Sequence, residues 1–394
     1  MRRLSCLVVV LLFFAAACRK SNTNTADIAQ ILPASDGPGA TVQITGRGFG
    51  YSLGQITVYF NGVKAEIISL SDTVLLVIVP VGATTGPVTV SVNGHSSQST
   101  SEFVVLTGGW TKKAAFPGTP VFYPATFVVN GKGYLVTGLS VLWVDLTSAY
   151  EYDPVADNWT QKASLPAQGR WSATGFAIGN KGYVIGGIAN AGGNTSGAAT
   201  YLQEVWEYDP SMDQWTRKAD FPGGGRSGAV GFSLGNKGYF GVGYGAPGTV
   251  YSDWWEYDPS LDQWTRKNDY GFQLTGDPGY LTIGNTGYMG LGSLYYHWSS
   301  YDPVADKWSD RQNCPGTLLG GPAFSINGLG YVVSGGYGGN WQYDPVADQW
   351  TQKTSIPDPR LSAVGFAIGS KGYAGLGTYY PTNAPASDWW EFDP

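Results

Sequence analysis

The stretch Tyr152-Asp153-Pro154-Val155-Ala156-Asp157-Asn158-Trp159 decides how the chain is read. The pattern Tyr-Asp-Pro-x-x-Asp-x-Trp recurs with its tyrosine at Tyr208, Tyr257, Tyr301 and Tyr343, and the tyrosine-to-tryptophan distance is seven residues in all five copies. A sixth copy is shortened to Phe392-Asp393-Pro394. Proline fixes φ and removes a donor while aspartate bonds local amides, so the motif is turn chemistry between two strands. A second landmark, Gly-Tyr followed by small and apolar residues, stands at Tyr134, Tyr183, Tyr239, Tyr288, Tyr331 and Tyr373. In its clearest copies, Gly175 to Tyr183 and Gly231 to Tyr239, an apolar strand, a Gly-Asn-Lys-Gly turn and a second apolar strand make a tight hairpin.

The intervals between landmarks carry more than either motif. From each tryptophan, starting at Trp110, to the next Gly-Tyr tyrosine the distance is 24, 24, 24, 24, 23 and 23 residues. From that tyrosine to the next Tyr-Asp-Pro (or Phe392) it is 18, 25, 18, 13, 12 and 19. Repeats of 42 to 56 residues with four strand candidates each describe propeller blades. With Gly186-Gly187 or Gly335-Gly336 in the second strand, then Tyr-Asp-Pro, then Trp, residues 107–394 resemble the kelch family, which implies a six-bladed β-propeller. Trp110-Thr111-Lys112-Lys113 is a fourth strand without three before it, and it matches Trp350-Thr351-Gln352-Lys353. It is expected to complete the last blade, leaving no free edge between the ends of the ring.

Residues 28–106 read differently. Runs such as Ile56 to Phe60, Val74 to Val79 and Val88 to Val92 alternate with turns at Asn61-Gly62, Gly82 and Asn93-Gly94, which indicates an Ig-like sandwich. Ile31-x-Pro33, Gly46-x-Gly48-Phe49, Val58-x-Phe60-Asn61-Gly62 and Gly86-Pro87-Val88 resemble the IPT/TIG family. That resemblance implies a spacer or an interaction module, and the spacer is the preferred reading. The fold class is therefore all-β, an Ig-like sandwich followed by a propeller.

Bulk composition agrees. Charged residues make up 13% and aromatics 14% of 394 residues, with 57 glycines and 15 tryptophans, a balance that suits short strands and tight turns. The formal net charge of −6 speaks against a nucleic-acid partner. Residues 1–17 resemble a lipoprotein signal peptide: Arg2 and Arg3, an apolar run from Leu4 to Phe14, then three alanines before Cys18. Cys18 is expected to be lipidated, residues 18–27 to form a polar tether, and the protein to be exported to the outer membrane, held by its lipid anchor only. Cys314 remains as the one other thiol of the exported chain, so packing without a disulfide must hold the fold.

Function is expected on the face opposite the constant turns, where the loops between the second and third strands vary. They run Gly138 to Thr147, Gly187 to Leu202, Gly243 to Asp253, Gly292 to His297 and Gly377 to Ser387. They carry Trp143, Tyr201, Tyr244, Tyr251, Tyr295, Tyr296, Tyr379 and Tyr380 with Asn190, Asn194 and Asn383, a set suited to stacking on sugars or gripping a peptide. On the same face the first strand is expected to begin with arginine in three blades, at Arg170, Arg226 and Arg360. They resemble the arginines that line the channel mouth in kelch domains, which implies binding of a carboxylate; the alternative is hydrogen bonding to carbonyls between blades. Galactose oxidase shares this architecture, yet its copper–radical site needs two histidines, and only His95 and His297 occur, in different domains. No metal or other cofactor is expected. Ser233 of Gly231-Phe-Ser-Leu-Gly235 aligns with Ala177 in a strand, so it is no nucleophile. The reading is a monomeric, non-catalytic binding module for a glycan or envelope protein. The alternative, implied by resemblance to exported sialic-acid mutarotases, is an acidic-sugar mutarotase, for which no acid–base pair is identifiable.

Overall fold

Each sequence repeat becomes one antiparallel four-stranded sheet, with strands A to D ordered from the axis outward. The computed structural model describes residues 26–394 apart from 191–197, 247, 275, 277, 293–294, 317–320, 334–338, 359 and 380–381. Blade 2 is representative: strand A (Thr174–Ile178), B (Lys181–Ile185), C (Val205–Asp209) and D (Gln214–Lys218) pair in that order. Blade 6 takes A, B and C from Val364–Ile368, Lys371–Gly375 and Trp389–Asp393, and its strand D is Gly109–Lys113. Trp110 pairs with Phe392 and Lys113 with Trp389, so the ring closes as the spacing predicts.

Packing between blades explains the glycine of Gly-Tyr. Phe127, Phe176, Phe232, Leu281, Phe324 and Phe366 in the six strands A are buried. They lie against Gly182, Gly238, Gly287, Gly330, Gly372 and Gly133 of the next blade. A Cβ at five of these glycines would overlap the phenylalanine ring, so what is required is close approach.

The motif itself is a clamp between blades. In all five full copies the tyrosine hydroxyl donates to the aspartate five residues later, at 2.5–2.8 Å from Tyr152 to Asp157 through Tyr343 to Asp348. That carboxylate also accepts the backbone N–H of the residue after strand D of the preceding blade. These residues are Ala114, Ala163, Ala219, Asn268 and Gln312, at 2.9–3.1 Å. The motif tryptophan donates its indole N–H to the carbonyl of that same residue at 2.7–3.3 Å. Local turn bonding belongs to the first aspartate, as where Asp153 accepts from Val155 and Ala156. The second, held at φ 48° to 53°, reaches across the interface, which its short side chain and tolerance of the left-handed region permit.

The first domain is a sandwich whose alternating strands bury Val42, Ile44, Val58, Phe60, Leu75, Val77, Val88, Val90 and Phe103. Its last strand, His95–Val105, pairs in parallel with the short Ser35–Asp36 and leads into strand D of blade 6.

Two expected loops are corrected. In blade 3, strands B and C extend as Lys237–Gly245 and Thr249–Asp258, so most of Gly243 to Asp253 is a hairpin. In blade 4, strand B runs to Gly292 and strand C starts at Tyr295. Glycines in the extended strands hid pairing that Thr249, Val250 and Tyr251 sustain, with a register shift between Gly241 and Gly243 absorbing the bend.

Candidate functional site

Strand A alternates, so the residues opposite the buried phenylalanines face the axis. One ring of positions is Thr126, Gly175, Gly231, Tyr280, Ala323 and Gly365; the next includes Ser233, Thr282 and Ser325. Together with Tyr123, Ser172 and Ser362 near its mouth they enclose a channel of about 620 Å³, within the range of small-ligand sites. None of its described lining residues carries a charge. Tyr280 is the one large polar side chain of its ring, and glycines on three other blades leave the space it faces. Its hydroxyl has no hydrogen-bond partner among the described residues. Burial pushes the phenol up to about 12, so it stays neutral and available to donate. At the mouth the rings of Tyr123 and Trp171 lie 5.5 Å apart, and the Trp171 indole N–H is buried without a partner.

The three arginines are placed elsewhere than the carboxylate-binding reading requires. Arg170, Arg226 and Arg360 are each 0% exposed and absent from the channel wall. Each meets a carboxylate in its own blade, just before strand C in blades 2 and 6 and within the extended strand C of blade 3: Arg170 with Glu204 at 2.5 Å, Arg226 with Asp253 at 2.6 Å, Arg360 with Asp388 at 2.7 and 2.8 Å. Their remaining N–H groups donate to carbonyls, for Arg360 those of Asp358 at 3.2 Å and Pro357 at 2.9 Å. Burial alone would raise Glu204 and Asp388, but the facing guanidiniums hold both below the usual carboxylate range. These guanidiniums pin the connection before strand A to strand C, and their donors are committed within the protein.

The sequence signal for this pairing lay four residues before each Tyr-Asp-Pro tyrosine (or Phe392). Glu204, Asp253 and Asp388 stand there in the three blades with an arginine, against Ser148, His297 and Gly339 in the others. Tyr280 was also missed, because it occupies a position that is small in the neighbouring repeats.

The loop aromatics divide. Trp143 is 57% exposed at the tip of the blade 1 loop. Tyr251 covers the Arg226 guanidinium at 4.0 Å and Tyr379 lies 5.3 Å from that of Arg360, so both roof the ion pairs. The Tyr244 hydroxyl accepts from the Gly276 N–H at 2.5 Å, and Tyr201 is half-buried in a short ribbon, Thr200–Tyr201 with Ile188–Ala189. Asn190 bonds Asp145 through its backbone N–H, and Asn383 turns its loop with its N–H on the Tyr379 carbonyl. The side chains of Tyr295 and Tyr296, and residues Asn194, Tyr380 and Cys18, lie outside the described residues. No cluster of three metal-ligating side chains occurs among the described residues, and none of their helices is long and apolar enough to cross a membrane.

Fold and repeat define a six-bladed propeller of kelch type joined to an IPT/TIG domain. Residues 28–105 match the family model described as IPT/TIG domain, and residues 172–222 match that described as Kelch motif. No curated protein matches the chain. A solved structure titled "Structure of YjhT" is similar with a TM-score of 0.57 at 17% identity, covering 70% of this chain and 96% of that one. At that identity the likeness shows a shared fold.

Proposed function

We propose that the propeller is a binding module for an uncharged, polyhydroxylated ligand, a neutral glycan, taken at the channel mouth. The chain would present it from the outer membrane through a lipid on Cys18. The observation that carries this reading is a channel in which no described lining residue is charged, with Tyr280 in its wall offering a hydroxyl that has no partner among the described residues. Hydroxyls of Thr126, Ser172, Tyr280 and Thr282 each offer a donor and acceptors to sugar hydroxyls, and the Tyr123 ring, backed by Trp171 at 5.5 Å, offers an apolar face. A carboxylated sugar would leave water here with no cation among the described lining residues to meet it, which is costly, and the three arginines are already paired. Neutral and sialylated oligosaccharides on a glycan array, probed with the wild type and with Tyr280→Phe and Thr126→Val, test the proposal. Neutral glycans should be retained and lost roughly tenfold in each variant, the worth of one good hydrogen bond. Selective sialoside binding, or anomer exchange of sialic acid seen by NMR, would favour the mutarotase instead.

A further inference from the structure

The clamp that joins the blades is incomplete at the place where the ring is closed. Blade 6 keeps its tryptophan half, with Trp110 donating its indole N–H to the Thr354 carbonyl at 3.0 Å. The aspartate, two residues before the tryptophan in every other blade, is replaced by Gly108, which has the same left-handed backbone (φ 92°) and no carboxylate. The Thr354 N–H turns to the Thr107 carbonyl at 3.1 Å. The next N–H, that of Ser355, donates at 2.9 Å to Oδ1 of Asp36, a residue of the IPT/TIG domain.

Asp36 is 4% exposed, and the same Oδ1 accepts the Gly37 N–H at 2.8 Å. Its backbone carbonyl accepts from Leu106 in the segment leading to strand D of blade 6. Around it the segment entering the propeller is held to the end of the blade 5 strand D: Thr354, 1% exposed, donates its hydroxyl to the Gly108 carbonyl at 2.6 Å, and Lys353 reaches the Thr107 hydroxyl at 2.9 Å. Gly37 passes so close that a Cβ there would overlap the Thr354 side chain. No cation faces Asp36 in an ion pair among the described residues, so burying it is unfavourable unless its hydrogen bonds are needed.

We infer that the IPT/TIG domain is the sixth clamp of the propeller. Asp36 stands in for the turn aspartate that blade 6 lacks, and the two domains unfold as one cooperative unit. The proposal does not depend on the ligand reading. All 15 tryptophans lie at or beyond Trp110, so tryptophan fluorescence reports the propeller alone while the substitution is made in the other domain.

In the full chain, Asp36→Ala should lower the fluorescence-detected melting temperature by about 3–8 °C, as loss of a buried acceptor would in a domain of this size. Amide exchange in Gly109–Lys113 should quicken roughly tenfold. Asp36→Asn retains Oδ1 and should stay close to wild type. Gly37→Ala, which wedges the domains apart at Thr354, should behave like Asp36→Ala and carries the test if that variant does not accumulate. An unchanged propeller transition with unchanged exchange in the alanine variants would overturn the proposal. So would a loss in Asp36→Asn equal to that in Asp36→Ala.

Discussion

Replacing Arg360 with alanine should damage the fold and leave ligand binding intact. The guanidinium is wholly buried and bidentate to Asp388 at 2.7 and 2.8 Å, and it also serves the carbonyls of Pro357 and Asp358. Its removal strands a carboxylate whose residue is 6% exposed, with the Trp390 indole and the Tyr379 hydroxyl as its remaining side-chain partners among the described residues. Breaking such a pair from one side costs about 3–5 kcal/mol. At about 2–4 °C per kcal/mol for a domain of this order, the melting temperature should fall by about 6–20 °C. Arg360→Met with Asp388→Leu removes both charges and should recover most of the loss, short of the two carbonyls left unpaired at about 1 kcal/mol each. Thermal unfolding by tryptophan fluorescence, with glycan binding below the transition, measures both quantities. If Arg360→Ala melted within about 2 °C of wild type and lost an acidic ligand, the guanidinium would be a ligand group and the reasoning here would be wrong.

Other outcomes follow from the same geometry. Tyr208→Phe deletes one donor to Asp213 and should cost about 1 kcal/mol, whereas Asp213→Ala strands both the Tyr208 hydroxyl and the Ala163 N–H and should cost about 2–4 kcal/mol; chemical denaturation separates them. Glu204 and Asp388 titrate below their ordinary values, so their stabilisation is complete above about pH 5 and is lost as pH falls through the lowered values; the melting-temperature gap between wild type and Arg360→Ala should hold from pH 8 to about 5 and narrow below about 4. Cys314 is buried with its thiol pushed up to about 12, so a thiol reagent should label it only on unfolding; rapid labelling of the native chain would contradict its placement.

What could be read before the structure, and what could not, follows from the range of each interaction. Blade number, the Gly-Tyr hairpins and the borrowed strand Gly109–Lys113 were legible because pairing between adjacent strands leaves a fixed spacing. The role of Asp157 was half legible. Turn propensity marks an aspartate, but nothing local says that its carboxylate serves Ala114, 43 residues away in sequence. Arg226 was read as the first residue of strand A, facing the channel mouth; it lies four residues before that strand and turns to Asp253, because which way a side chain leaves a connection depends on the partner waiting for it. That partner, Asp253, has counterparts at the same offset from the motif in the two other blades with an arginine, Glu204 and Asp388. Tyr280 departs from the small residues around it, and its meaning appears only once six strands face one axis.

The clamps and the phenylalanine contacts point in opposite rotational senses: each blade grips the one before and leans a ring on the one after. Every repeat thus carries both halves of an interface, and a copied repeat would bring a complete set of joints with it. The junction at Gly108 and Asp36 is the exception, since half of it is held in another domain. Repeat gain or loss during descent should therefore be accommodated among blades 1 to 5, while the joint beside the IPT/TIG domain stays as the fixed point from which the count begins.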